Sequence, residues 1–380
     1  MKSSFVVKVP VIFVLLFGLT GCWGSSDIQN MAYATAIGID YNKGHYIAYV
    51  QVLNFSNVAK VESVEIGKPL ASWIGKGIGR TITEALEGVV DTSQLRIFWG
   101  HVKTVIVTES VMKNGIDYIY EAFNRYREVR YTVTVYGTDE DIPTLLAQKS
   151  LLNFSPLDSL LVNPTQNYQR NAYIQPLMGF QFIAKTNEPG NSTLLPALSL
   201  NQSAWKEDAE QRTMFTISGA FVFNSDHYVT RLSLQDLVGL RWMIDKMKGT
   251  SVHVPDVPHP AASLILKRQT KKITPLIRSK EIRFRIRLKF LAEIIELRKD
   301  KDIKEIGRET EQVIRDEIME TYRKGIAKNC DVYQLSEVLY QQHPKVWKRE
   351  FSDKSFPLHE DSIDIEVSVD IRSSGKYKMK

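Results

Sequence analysis

Two segments in the C-terminal third alternate apolar and polar residues. Residues 281–290 place apolar side chains at the even positions and basic ones between them, and residues 363–371 place apolar side chains at the odd positions with acidic residues or serine between them. A period of two predicts strands with one buried face. Because opposite charges across a strand pair are favourable, we expect both strands in one sheet. The basic face is then either a headgroup or partner contact, or a solvated face balanced by the acidic strand.

Helical spacing of apolar residues dominates the segment between these two strands. Residues 304–327 carry apolar side chains every three or four positions and predict a long helix. Asp331 is placed to cap a second helix over 332–342. Farther back, residues 233–249 show the same spacing and predict another helix.

The N-terminal half mixes strands with helices. Residues 32–40 and 45–53 predict a hairpin, and residues 97–107 are apolar enough for a buried strand. The sequence Thr-Ile-Thr-Glu at 81–84 is a capping box that starts a helix. The glycine-rich segment 75–79 matches neither nucleotide-binding pattern, because amides at that spacing cannot converge on a phosphate. We therefore expect it to be a flexible entry to the helix.

The middle of the chain is less regular, and prolines interrupt it. The remaining predictions are a helix over 116–126, a strand over 131–136, a helix over 138–147, an irregular domain junction over 151–190, a strand over 194–200, an exposed loop over 201–212, and a hairpin formed by 214–224 and 227–232.

The N-terminus has the order of a secretory signal. Basic residues precede an apolar run at 11–19, which is about half of the roughly 20 residues that a membrane-spanning helix needs. The run ends in Leu19-Thr20-Gly21-Cys22, which resembles a bacterial lipobox. In that interpretation the chain is cleaved after Gly21, the Cys22 thiol takes a diacylglyceryl group, and the new amino group is available for a further acyl chain. The alternative is an ordinary secreted protein whose Cys22 is incidental.

Composition narrows the class of protein. With 380 residues, 43% hydrophobic and 24% charged, the chain is globular in composition and long enough for two or three domains. A net charge of +6 suits a position near anionic headgroups, and an exported lipoprotein does not meet nucleic acid. If Cys22 carries lipid, Cys330 has no intramolecular partner, so we expect a packed thiol and no disulfide framework. His101 has no metal-ligand partner at a suitable spacing, so we expect a structural histidine.

The predicted fold class is α/β (α+β), multidomain, with mixed sheets each packed with helices, in two to three domains after a cleaved lipoprotein signal peptide. The predicted boundaries are a signal peptide at 1–21, a lipidated tether at 22–30, an N-terminal α/β module at 31–200 with breaks near 62 and 150, a C-terminal α/β domain at 201–375, and a basic tail at 376–380.

Stretches along nearly the whole mature chain together carry a family resemblance. They are Gly21-Cys22-Trp23, residues 34–40, 80–85, 98–103, 330–333 and 343–347, and the alternating strand 363–371. In this order they resemble the Ger(x)C family, the lipoprotein C subunit of bacterial spore nutrient germinant receptors. Gly24-Ser25-Ser26 departs from the family, whose members often carry charged residues directly after the tryptophan, and this affects the stiffness of the tether.

The resemblance implies three mixed sheet-and-helix units tethered at the outer face of the spore inner membrane. It also implies a complex with two integral-membrane subunits, A and B, in which germinant binding is generally placed. The family supplies no catalytic residues to carry over, and the sequence has no G-x-S-x-G, H-E-x-x-H or P-loop. No cofactor is expected beyond the covalent lipid on Cys22.

The leading hypothesis is a non-catalytic, lipid-anchored receptor subunit that serves assembly or signalling with the A and B subunits during spore germination. The alternative is a lipid-anchored solute-binding protein that captures a nutrient itself. Such a protein needs a cleft in which polar and aromatic groups converge. The sequence alone nominates no such cleft.

Overall fold

The computed structural model describes residues 31–53, 71–116, 118–119, 128–153, 159–164, 174–244, 249–255, 257–278, 281–298, 301–351 and 358–373. The predictions for the signal peptide, for Gly21 and Cys22, for the tether and for the basic tail lie outside these residues, as does most of the helix predicted over 116–126. The described part confirms the predicted fold class, because helices pack on two mixed sheets.

Ten of the described strands form the first sheet. They are β1 (Met31–Asn42), β2 (His45–Leu53), β3 (Ser72–Gly79), β4 (Arg96–Phe98), β5 (Thr104–Thr108), β6 (Thr134–Thr138), β7 (Leu177–Met178), β8 (Ser192–Glu207), β9 (Glu210–Asn224) and β10 (His227–Ser233). β1, β5, β6 and β8 are neighbours and run parallel. β2 and β3 extend one edge antiparallel, and β9 and β10 extend the other. β4 lies beside β1, and β7 beside β6.

Helices cover both faces of the parallel strands, as buried parallel strands require. They are α1 (Ile82–Thr92), α2 (Glu109–Asn114), α3 (Ile142–Ala147) and α4 (Gly179–Asn187). Along β5, Val105 and Val107 pack in one core with α1, α2 and α4, whereas Ile106 packs on the other face with α3. The alternation follows from the period of two in a strand.

The second sheet carries one face toward helices and the other toward solvent. Its described strands lie in the order β11 (Thr250–Val254), β12 (Ala262–Arg278), β13 (Glu281–Leu297) and β14 (Ile363–Ser373). The covered face packs on α5 (Ile303–Ile326) and α6 (Leu335–Gln342), and α7 (Pro344–Phe351) follows α6. β14 runs parallel to β13, so the prediction that the two alternating strands share a sheet is confirmed.

Strand β9 contributes to the cores on both sides of it. Phe221 and Phe223 pack in the core of the first sheet, whereas Ala220 and Val222 pack with the second sheet and α5. All four side chains are fully buried. The two sheets therefore share hydrophobic packing through this strand, and Leu232 of β10 joins the same second core.

Several predicted elements are confirmed near their predicted bounds. β1 and β2 form the first hairpin, and β9 and β10 form the hairpin around residues 225–226. The long helix α5 and the strands β13 and β14 also lie where the periodicity placed them. Half of the predicted capping box is present, because the Glu84 amide donates a hydrogen bond to Oγ1 of Thr81 at 3.1 Å. The Glu84 carboxylate accepts a hydrogen bond from the Arg80 amide at 2.7 Å instead of from the Thr81 amide.

The glycine-rich segment 75–79 belongs to strand β3, so its interpretation as a flexible entry to the helix is wrong. A Cβ built on Gly77 would lie 2.0 Å from the carbonyl oxygen of Ala85 in α1. Glycine at this position allows two backbones to approach closely. The requirement comes from packing against α1, which the glycine spacing did not reveal.

Residues 201–212, predicted as an exposed loop, are the far ends of β8 and β9. They form an exposed ribbon closed by a two-residue turn at 208–209. Because solvent reaches this ribbon widely, no apolar period marks its strands. β8 also crosses position 200, where a domain boundary was predicted, and the first sheet continues to Ser233.

Residues 233–249 do not form the regular helix that their spacing predicted. The described part is a turn at 234–237 followed by a 3₁₀ helix at Val238–Trp242. The amide of Gly239 donates to Oγ1 of Thr321 in α5 at 2.9 Å, so it is not available to continue a helical ladder.

Other element bounds shift by a few residues. The segment 97–107 divides into β4, a 3₁₀ helix at Trp99–His101 and β5, and α4 lies within the predicted junction over 151–190. The strand predicted over 131–136 begins at Thr134 and continues through Gly137. The helices predicted over 138–147 and 332–342 begin at Ile142 and Leu335.

Candidate functional site

The carboxyl ends of the parallel strands carry a group of polar side chains. Oδ1 of Asp40, near the end of β1, accepts hydrogen bonds from Oγ1 of Thr108 at 2.6 Å and from Oγ of Ser110 at 2.9 Å. Open α/β sheets commonly bind ligands at this edge. Here the Asp40 carboxylate joins the ends of two neighbouring strands, which is a structural task.

A second part of the same edge joins α2 and β10. The hydroxyl of Tyr228 donates to Oε1 of Glu109 at 2.7 Å, and this hydrogen bond is the main cause that lowers the pKa of Glu109. Burial raises the pKa of Tyr228 above its usual value. Arg231 pairs with Asp139 at 2.6 Å, although burial still raises the pKa of Asp139. These carboxylates hold elements of the fold together.

A cleft of about 580 Å³ opens beside the first hairpin and the start of α1. Tyr41, Tyr46 and Tyr118 line it together with Arg80 and Asn114. The amide nitrogen Nδ2 of Asn114 donates to the Tyr46 hydroxyl at 2.7 Å, which fixes that phenol. The volume falls within the range of small-molecule sites. Sequence reasoning missed this cleft because its lining comes from separate segments.

The basic face of β13 is matched by carboxylates on β14. Arg285 pairs with Asp364 at 2.9 Å and with Glu366 at 3.1 Å, and Arg287 also pairs with Glu366. The parallel register places these residues directly opposite one another. This arrangement is the solvated, charge-balanced face that was one of the two interpretations of the stripe. Pairs this exposed contribute little to stability, because solvent screens the two charges.

His101 and Cys330 lie in unrelated surroundings. The His101 side chain is exposed, and its ring packs edge-on against Tyr33 with centroids 5.1 Å apart. Partial desolvation where the ring packs on its neighbours is the first cause that lowers the pKa of His101, followed by the charges of Lys103 and Arg130. Cys330 is buried, and burial raises the pKa of its thiol to about 11, which disfavours the nucleophilic thiolate. Within the described ranges no three His, Cys, Asp or Glu side chains group as a metal site.

Asp331 lies at the turn between α5 and α6, and its side chain caps α6. Its Oδ2 accepts a hydrogen bond from the Ser336 amide at 2.7 Å. The group is fully buried, and burial outweighs the backbone hydrogen bonds, so its pKa is raised to about 6.

The same turn contacts the first sheet. Nδ2 of Asn224 in β9 donates to the carbonyl of Asn329 at 3.0 Å, and Nδ2 of Asn191 donates to Oε2 of Glu337 at 2.7 Å. The Asp331 cap therefore lies where the two sheets are joined. No ligand-binding chemistry follows from these contacts, which fix the position of α6.

We expect Asp331 to make a contribution to the free energy of unfolding that grows as pH falls from about 6 to about 4. Its folded-state pKa of about 6 lies above the ordinary value of 3.8, so the folded chain binds this proton more tightly than the unfolded chain does. At pH 7 the ionised group then lowers the free energy of unfolding by about 3 kcal/mol, and this cost is removed progressively as pH falls from about 6 to about 4. Urea denaturation of Asp331→Asn across this range should show a much flatter pH dependence.

Asp316→Asn is the matched control, because Asp316 is exposed on α5. Its pH dependence should follow that of the unchanged chain. Glu337 also has a pKa raised by burial, so a smaller slope of the same sign should remain in Asp331→Asn. If the free energy of unfolding of Asp331→Asn changed with pH as steeply as that of the unchanged chain, Asp331 would not be a source of the pH dependence.

None of the described helices combines the length and the apolar character that crossing a bilayer requires.

Sequence comparisons match two family profiles in tandem. The profile described as "Spore germination protein N-terminal domain" matches residues 24–200, and the one described as "Spore germination B3/ GerAC like, C-terminal" matches residues 218–375. Spore germination protein KC of Bacillus subtilis (strain 168) is 23% identical over 94% of this chain and 93% of its own length. Spore germination protein B3 of the same organism is 25% identical over 90% of this chain and 91% of its own.

A solved structure shares the fold. The crystal structure of the GerBC protein superimposes with a TM-score of 0.55 at 18% identity, and the match covers 91% of this chain and 99% of that chain. The likeness therefore extends over both sheets and their helices.

Proposed function

This chain belongs to the Ger(x)C family, the C-subunit family of spore germinant receptors, and from that premise we propose that it is a non-catalytic, lipid-anchored receptor subunit. The observation that carries the proposal is the tandem match of both family profiles, which together span most of the mature chain. The relatives match over nearly their whole lengths, so the likeness concerns the entire body of the protein and not one reused module.

The anchor is the lipid on Cys22, added after cleavage behind Gly21. The first family profile begins at residue 24, so the matched body starts two residues after this cysteine. Two acyl chains would hold the protein firmly, because one chain alone binds a bilayer only marginally. The proposed location is the outer face of the spore inner membrane.

The partners are the integral-membrane A and B subunits of the receptor. We assign this chain to assembly or signalling with them, and germinant binding to the partners. The polar side chains at the strand ends support a non-catalytic role, because Asp40, Glu109 and Asp139 each bond a neighbouring element of the fold. Carboxylates that hold neighbouring elements together in this way are not placed to act as a general acid or base on a substrate.

Co-purification from detergent extracts of spores tests the proposal. An affinity-tagged chain should recover both membrane subunits, and a tagged unrelated lipoprotein from the same membrane should recover neither. Recovery of this chain free of both subunits would show that the assembly role is wrong.

Calorimetry separates the leading function from the alternative. Titration of the detergent-solubilised chain with a panel of amino acids and sugars should give no saturable heat. Saturable heat that is lost in Tyr46→Ala would instead place nutrient capture in the tyrosine-lined cleft described above.

A further inference from the structure

The amino ends of the parallel strands meet at one edge of the first sheet. The Lys103 amide, just before β5, donates to the carbonyl of Thr35 in β1 at 2.9 Å, and the Thr134 amide at the start of β6 donates to the carbonyl of Lys103 at 2.7 Å. Arg96 pairs with Met31 across β4 and β1. β1 and three segments distant from it in sequence are thereby brought together near the amino end of β1.

This edge exposes both cations and large apolar side chains. We call the following six residues the amino-end patch: Arg96, Lys103, Arg130, Tyr131, Met178 and Phe180. Tyr131 is 59% exposed, Phe180 47% and Met178 39%. The Phe180 amide donates to the carbonyl of Tyr131 at 3.0 Å, so the two aromatic residues are held side by side.

The nearby charges leave the patch net positive. Glu128 lies 4.0 Å from Arg96 and also accepts a hydrogen bond from the Trp99 amide at 3.1 Å. Lys103 and Arg130 are exposed, and both act on His101 through their charge. Three cations thus face one described carboxylate in this group of contacts.

The opposite edge of the same strands has the reverse charge. Asp40 lies two residues before the end of β1, Glu109 follows β5, and residues 139–141 add three carboxylates after β6. Lys113 and Arg231 pair with members of this group and offset only part of its charge. The parallel strands therefore run from a basic, aromatic edge to an acidic one.

The segment that follows the proposed lipid anchor joins the first sheet at this edge. β1 begins at Met31, nine residues after Cys22. Nine residues span at most about 30 Å when fully extended. A lipid on Cys22 would therefore keep the amino-end patch within about one tether length of the bilayer, with the acidic edge on the far side of the sheet.

We propose that the amino-end patch docks on an anionic bilayer surface and fixes the orientation of the body above the membrane. Lys and Arg side chains are attracted to anionic headgroups, and aromatic side chains favour the interfacial zone. The acidic edge would be repelled from the same surface. This inference rests on the proposed lipid anchor, because the short tether brings the patch to the bilayer.

The test uses the full lipidated chain on vesicles, with an environment-sensitive dye at Phe180→Cys. Cys22 would be blocked by lipid and Cys330 is buried, so the new thiol is the reactive one. The fluorescence emission of the dye should shift to shorter wavelength on vesicles of phosphatidylcholine mixed with phosphatidylglycerol. The shift should be much smaller on vesicles of phosphatidylcholine alone. Added salt should reverse the shift.

Neutralising the patch should weaken docking without removing the anchor. Each cation near an anionic surface favours the docked state about fivefold, so Lys103→Gln with Arg130→Gln should reduce docking about 25-fold. Lys272→Gln with Lys289→Gln removes the same charge from the exposed face of the second sheet and should leave the shift unchanged. Flotation with vesicles at high salt measures membrane binding through the lipid on Cys22 alone. Loss of the lipid anchor is thereby distinguished from loss of docking by the amino-end patch.

Three results would overturn the proposal. The first is a dye at position 180 that reports water on anionic vesicles while the chain still floats at high salt. The second is a larger loss from the Lys272 and Lys289 changes, which would place headgroup contact on the second sheet. The third is shielding of position 180 only when the membrane subunits are present, which would assign the patch to a protein partner.

Discussion

Replacing Gly77 by alanine is expected to lower the free energy of unfolding by about 3 kcal/mol or more. A Cβ at this position would lie 2.0 Å from the carbonyl oxygen of Ala85 and 2.9 Å from the amide nitrogen of Val89. Both atoms belong to the backbone of α1, so no side-chain rotation can relieve the clash and the helix must move off β3. Overpacking in an ordinary core lowers the free energy of unfolding by about 1–3 kcal/mol. Here we expect a loss at the upper end of that range or beyond it, because backbone and not only side chains must be displaced. Urea denaturation measures the change.

Gly88→Ala is the matched control from the facing helix. A Cβ on Gly88 would meet its nearest atom, Cα of Gly77, at 3.6 Å, which is ordinary contact. Alanine is favoured over glycine inside a helix by up to about 1 kcal/mol, so this variant should be neutral or more stable. Equal losses in the two variants would show that the contact between β3 and α1 is not the cause.

Cys22→Ala is expected to abolish membrane retention and, with it, the germination response. The change removes the thiol that would carry the diacylglyceryl group, and each buried methylene of that group contributes about 0.8 kcal/mol to membrane binding. We expect at least a tenfold fall in the membrane-bound fraction when spores are fractionated. Germination in response to nutrients should fall in parallel.

Cys330→Ala provides the control for Cys22→Ala. Cys330 is buried and its thiol is held in the protonated form, so retention and response should both persist. If Cys22→Ala spores kept retention and response, the membrane partners would hold the chain and the lipid would be secondary.

The sequence predicted several elements in which one face of a strand or helix is buried. β13 and β14 could be predicted to share a sheet because their apolar residues have a period of two and their outer charges are opposite, and the structure places them side by side. The long helix α5 followed from spacing alone, since its buried residues recur every three or four positions. In these elements local pattern and tertiary packing agree.

Elsewhere the deciding interaction joins two segments and does not appear in the apolar pattern of either one. Gly77 belongs to a strand because α1 packs against it, and the far ends of β8 and β9 pair with each other although both are exposed. At 233–249 the side chain of Thr321 takes the Gly239 amide. None of these contacts leaves a periodic signal in its own segment.

The candidate sites divide in the same way. Cys22 and Gly21 are a contiguous motif, so they could be predicted directly from the sequence. The tyrosine-lined cleft and the amino-end patch each combine residues from several segments, and both depend on β1 lying between β5 and β2. That strand order is a property of the fold, which a single sequence does not show.

We expect the two sheets to move together as one rigid body, because strand β9 packs in both cores. Its alternate side chains are buried in two different cores, so neither sheet can rotate without disrupting packing on the other side of the same backbone. A tilt imposed on one sheet, by a bilayer or by a partner subunit, would therefore be passed to α5 and α6 through this shared packing. The described body would then move as one unit, with its two sheets keeping their relative orientation.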